Sequence, residues 1–241
     1  MFRFLFSMFV GLLGLLLVPV ASAGDNEIRI ITNAVDNAGT NYTFGTGNNN
    51  TLFITNGGQL TNVAGGILGP HANAGTNNTL VVSDPGSVWQ SASWLQIGEN
   101  TGNNYNTLII SNSGVVTSLG GYAVGGAASS TNRVIVTGSG SVWTNTGSTQ
   151  LYIGNNGADN RLIIRDGGVV VSVGGVLGKN NASSQGNQVF IMDSGSVWHA
   201  SGGVFTVGEE GGNNTVTISN GGVLYTAEPR ISARSLPIVT R

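Results

Sequence analysis

Seven copies of one short pattern set the terms for this chain. They begin at Asn50, Asn78, Asn106, Asn132, Asn160, Asn187 and Asn214, so the period is 26 to 28 residues. Two residues after each Asn stands Leu or Val, four after stands Ile or Val, and eight after stands Gly in every copy. The copy from Asn160 to Val170 reads Asn-Arg-Leu-Ile-Ile-Arg-Asp-Gly-Gly-Val-Val. A unit of this length cannot bury an apolar face alone, so it must stack on its neighbours.

Side chains two apart on a strand share a face, so Leu162 and Ile164, with their counterparts in the other copies, point the same way, inward. Ten residues after the Asn comes a further apolar column, Leu60, Val88, Val116, Val142, Val170, Val197 and Leu224, also expected to face the core. Later in each unit an apolar residue precedes Gly, as in Ile97-Gly98 and Ile153-Gly154. Each unit thus holds three short strands punctuated by Gly, Asn and Ser turns, and no stretch shows a helical period. The reading is all-β: a parallel β-helix, or solenoid, of about seven to eight rungs with three short strands per rung. At roughly 4.8 Å per rung such a rod is on the order of 35 Å long. A propeller is excluded by period, because its blades need about 40 residues and four strands.

The ends read differently. Residues 1–23 read as a cleaved export signal, with an uncleaved anchor as the alternative: Arg3, an apolar run from Phe4 to Val18, and Ala21-Ser22-Ala23 as the cleavage site. Residues 24–49 look like an imperfect N-terminal capping rung, with Ile28 and Ile30 alternating around Arg29. Residues 50–226 carry the repeats, and 227–241 read as an irregular tail with Pro229, Pro237 and three Arg. The 241 residues include 39 Gly and no Cys, so stability after export must come without disulfides. From Gly24 to Thr226 five basic residues face ten acidic ones, a net charge of −5 that excludes a nucleic-acid footprint.

The pattern also has a double period. Gly86-Ser87-Val88-Trp89, Gly140-Ser141-Val142-Trp143 and Gly195-Ser196-Val197-Trp198 alternate with units such as Gly167-Gly168-Val169. Val134 to Trp143 and Leu162 to Val170 resemble the repeats of bacterial autotransporter passenger regions, over roughly residues 45 to 226. That resemblance implies a right-handed β-helix, exported and then displayed at the cell surface or outer membrane, or released. It transfers no catalytic residues. The family's passengers precede a membrane β-barrel, and Ala227 to Arg241 holds none. A stand-alone secreted relative, a truncated product and another mode of attachment all remain open.

Four sets of residues offer chemistry. Three after each Asn, facing outward, stand Phe53, Val81, Ile109, Ile135, Ile163, Phe190 and Thr217, a stripe suited to partner contact or merely to strand formation. Arg133 and Arg161 stack on neighbouring rungs beside it and Arg165 lies four residues beyond, so the three can grip an anionic glycan or phosphate, or lie solvated over the stripe. Trp89, Trp143 and Trp198 recur every second rung, about 9.6 Å apart. Outward they would form a ladder for an extended polysaccharide; inward they are packing residues. Asp166 and Asp193 fall on adjacent rungs, about 5 Å apart, where they are either turn residues or a weak calcium or acid–base pair.

Catalysis has little to build on. Only His71 and His199 are present, and no motif joins Asp193, Ser194 and His199 into a nucleophile system. No cofactor is expected. The expectation is a secreted or surface-displayed adhesin-like binding protein that touches extracellular polysaccharide or cell-surface molecules along its long faces. It carries no transmembrane domain in the mature chain and binds no nucleic acid. A polysaccharide lyase or hydrolase and a passive spacer are the alternatives.

Overall fold

The structure, a computed structural model, describes residues 24–69, 75–231 and 239–240. The expected export signal and His71 lie outside them. The described chain is a parallel β-solenoid built from two sheets. One is a flat nine-stranded sheet, from Ile28–Thr32 through Thr51–Thr55 and Arg161–Arg165 to Val239–Thr240. The other has fourteen strands and folds over to form the remaining two faces. Its fold line is the long strand Val197–Val207, which pairs with Val169–Ser172 at one end and Gly175–Lys179 at the other.

Every strand pairs in parallel with its equivalent one rung away, so like residues stack. Leu108 lies over Val134 and Val134 over Leu162; Ile110, Val136 and Ile164 stack likewise, and all six are fully buried. The inward columns of the flat sheet are those expected from the repeat.

The seven pattern Asn are fully buried and form one amide ladder at the corner entering the flat sheet. From Asn50 to Asn187, each Asn donates its backbone N–H and, on all but the last of these rungs, its side-chain Nδ2–H to the Oδ1 of the next, at 2.9 to 3.3 Å. Such a stack satisfies polar groups that would each cost about 1–3 kcal/mol if buried alone. The ladder Asn are not themselves left-handed. That conformation belongs to the residue before each one: Asn49, Asn77, Tyr105, Thr131, Asp159, Gly186 and Asn213, with φ between 56° and 69°. The apolar-Gly column completes the corner. Gly98, Gly125 and Gly154 have positive φ, and a Cβ on any of them would strike the ladder amide of Asn132, Asn160 or Asn187.

The double period has a packing cause. The turn before the second face holds two left-handed residues on alternate rungs, as at Asp166 and Gly167. On the others an extra residue stands between them, as in Asp193-Ser194-Gly195. The insertion moves the following strand by one position, so its other residues face in. Trp89, Trp143 and Trp198 therefore take the core places of Leu60, Val116 and Val170, with which they are in register. Val88, Val142 and Val197, expected inside, lie outside and half-buried. The indoles need room, and the third face supplies it by alternating small with large: Gly66 and Gly175 leave space that a Cβ would take from Trp89 and Trp198.

The Gly column eight after the Asn also divides. Gly86, Gly140 and Gly195 have positive φ; Gly114 and Gly168 do not, but a Cβ there would strike the carbonyl of Val82 or Val136 one rung below.

Arg29 and Asp36 occupy the first rung's inward places, in register with Leu52 and Leu60, and pair with each other. Burial holds the hydroxyl of neighbouring Tyr42 protonated well above its ordinary range, outweighing the opposing effect of Arg29. At the other end the strand Val223–Ile231 pairs with Val197–Val207 as far as Ile231, with a shift of register between Ala200 and Val204. The stretch 227–231, expected to be irregular, thus continues the solenoid because Glu228–Ile231 pair with Val204–Val207.

Candidate functional site

Outward residues of the flat sheet form the expected stripe. Ile30, Phe53, Val81, Ile109, Ile135, Ile163 and Phe190 lie side by side in register across seven strands, followed by Thr217. All but Ile30, which is exposed, are half-buried. A second aliphatic stripe runs along the adjoining face, formed by Val88, Val115, Val142, Val169, Val197 and Val223. Spacing from the Asn does not reveal it, because the inserted turn residue reverses three of its members, Val88, Val142 and Val197.

The tryptophan ladder does not exist as a surface. Trp89, Trp143 and Trp198 are 0% exposed, since the inserted turn residue aims them inward. Trp89 donates its Nε1–H to Asn62 Oδ1 at 3.1 Å, and Trp198 to Ser172 Oγ at 2.9 Å. Among the described residues Trp143 has no such partner, and Ser118 Oγ and both amide atoms of Asn145 on the neighbouring core positions are also unpaired.

The two acids sit in turns. Asp166 and Asp193 are left-handed turn residues, with φ of 52° and 72°. Asp166 accepts a hydrogen bond from Thr137 Oγ1 at 2.9 Å and pairs with Arg165 at 3.5 Å. Among the described residues no group of three or more His, Cys, Asp or Glu gathers to hold a metal ion. His199 lies flat on Tyr225, ring centres 4.8 Å apart.

Arg133 and Arg161 are directly in register and exposed. Arg165 is also exposed but sits at the far edge of the same strand, so the three do not converge. Instead the pair borders a groove of about 250 Å³ at the ladder corner, lined by Asn77, Tyr105, Thr107, Thr131, Arg133, Asp159 and Arg161. Its construction follows from the ladder. Each Asn turns inward, and the residues on either side of it turn outward. Asn77, Tyr105, Thr131 and Asp159 therefore stand on four successive rungs, with Thr107, Arg133 and Arg161 in a parallel column beside them.

Within the groove Tyr105 is 61% exposed, and Arg161 Nε donates to Gln188 Oε1 at 2.9 Å. Arg133 makes no hydrogen bond or ion pair among the described residues, and Asp159 pairs with neither arginine. The sequence reading missed Tyr105, Thr131 and Asp159. A signal was there: the position before each ladder Asn reads Asn, Asn, Tyr, Thr, Asp, Gly, Asn, and Tyr and Thr are poor left-handed residues.

No protein-family model, no curated protein and no solved structure matches this chain.

Proposed function

We propose that the protein is an exported β-solenoid, secreted or held at the cell surface, that acts as an adhesin-like binder through its outer faces. The observation that carries this reading is the half-buried apolar stripe of the flat sheet, unbroken from Phe53 to Phe190. Contiguous apolar strips bordered by polar residues suit partner contact. Here Thr51, Thr79, Arg133 and Arg161 form one border, and Thr55, Ser83 and Thr137 the other. Weak contacts repeated at each rung of a rigid rod sum to firm attachment. The resemblance of Val134 to Trp143 and of Leu162 to Val170 to autotransporter passenger repeats, and the export signal read in residues 1–23, support the location.

The test is retention of the purified protein on immobilised cell-surface and extracellular polymers, with parallel assay for product release. Binding without turnover, weakened by paired Ile135→Asn and Ile163→Asn on the stripe, supports the binder. Release of shortened polymer would replace it with a polysaccharide lyase or hydrolase. No retention on any surface would leave a passive spacer.

A further inference from the structure

We propose that the corner groove binds one acidic sugar ring of an extracellular polysaccharide, held between the Tyr105 ring and the guanidinium groups of Arg133 and Arg161. The proposal rests on the binder reading above and names the ligand class for one part of the surface.

Two independent observations point to this groove. The first is its chemistry. A sugar ring presents an apolar C–H face and a rim of hydroxyls, and a uronic sugar adds one carboxylate. Tyr105 offers an exposed aromatic plane. Asn77, Thr131 and the Asp159 carboxylate offer hydrogen-bond partners for hydroxyls. Two guanidinium groups on adjacent rungs offer the fork geometry that suits a carboxylate. The Asp159 carboxylate can only accept, which suits a ring with hydroxyls to donate and not a polyphosphate chain, which has none. The groove is smaller than a drug-sized pocket, which begins at about 300 Å³, so it suits one ring of a longer polymer.

The second observation is strain. On five of seven rungs the left-handed position before the ladder is Asn, Asp or Gly, which adopt it readily. On the two central rungs of the groove it is Tyr105 and Thr131, at φ of 59° and 60°. A bulky or β-branched residue there is costly, and such strain gathers where function holds it. Nothing in the corner's packing requires a ring at 105, because Asn77 fills the equivalent place one rung below with the same backbone.

The experiment measures binding of polygalacturonate, its full methyl ester and double-stranded DNA by the intact protein, with thermal melting of each variant. The expected result is binding of polygalacturonate only. Arg133→Ala and Arg161→Ala should each weaken it roughly tenfold or more, the loss of a charge-assisted hydrogen bond. Tyr105→Asn should weaken binding and yet raise the melting temperature by roughly 2–4 °C, by relieving the strained backbone. Equal binding of the methyl ester or of DNA overturns the proposal, as does a Tyr105→Asn protein that binds unchanged. If polygalacturonate is ignored while other polymers are held through the Ile135 and Ile163 stripe, the groove assignment fails and the binder reading stands. If nothing is held, both fail.

Discussion

The ladder corner has an inner and an outer side, and the two are built to different rules. Inside, seven rungs repeat one solution: a buried Asn whose Oδ1 receives the N–H of its neighbour. Outside, one bond away along the chain, the rungs diverge into Asn77, Tyr105, Thr131 and Asp159. The inner side must be uniform because each amide needs an identical partner above and below. Solvent satisfies the outer side, which is free to specialise. In a solenoid, uniform columns therefore report stability, and departures within an outward column report where function can reside.

The contrast can be broken from either side. Asn132→Ala has the largest expected effect, because it strips the acceptor from Asn106 and leaves buried N–H groups unpaired. A loss of about 3–5 kcal/mol is expected in denaturant unfolding. A loss below about 1 kcal/mol would mean the ladder is not what fixes the corner.

Next come the tryptophans, which test whether the inner columns are as uniform as they look. Trp89→Phe should cost about 1 kcal/mol more than Trp143→Phe, since only Trp89 Nε1 has a hydrogen-bond partner to abandon. Equal costs would show that Trp143 is satisfied by an internal water.

Smaller again, and opposite in sign, Tyr105→Asn should stabilise by about 1 kcal/mol. Arg161→Ala on the outer side should change stability by less than about 0.5 kcal/mol, its bond to Gln188 being exposed. An Arg161→Ala protein that melts like Asn132→Ala would erase the distinction between the two sides.

The sequence was legible where spacing alone decides. A 26- to 28-residue period and two apolar columns two residues apart are enough to specify stacked parallel strands and the inward places of Leu162 and Ile164. It misled at the second face, because a column counted from the Asn ignores one residue inserted in alternate turns. That residue sent Val88, Val142 and Val197 outward and brought the indoles in. The repeat pattern ends at Thr226, yet the backbone pairing of Glu228–Ile231 needs no motif. The site was half legible. Arg133 and Arg161 stood out as rare charges, whereas Tyr105 and Thr131 stand out in their column only once it is known to be left-handed.

The inserted turn residue has one more consequence, for how such a rod can gain or lose length. Excising Asn106 through Thr131 removes one rung and sets Trp89 directly against Trp143, with Leu95 against Leu151 and no glycine between them. That core is overfilled, at a cost of about 1–3 kcal/mol or more. Excising Asn78 through Thr131 removes two rungs and sets Leu60 against Trp143 and Gly66 against Leu151, the alternation already in place. Viable deletions and duplications therefore come in even numbers of rungs, and the smallest cassette that can be copied or lost in frame with the packing is a pair.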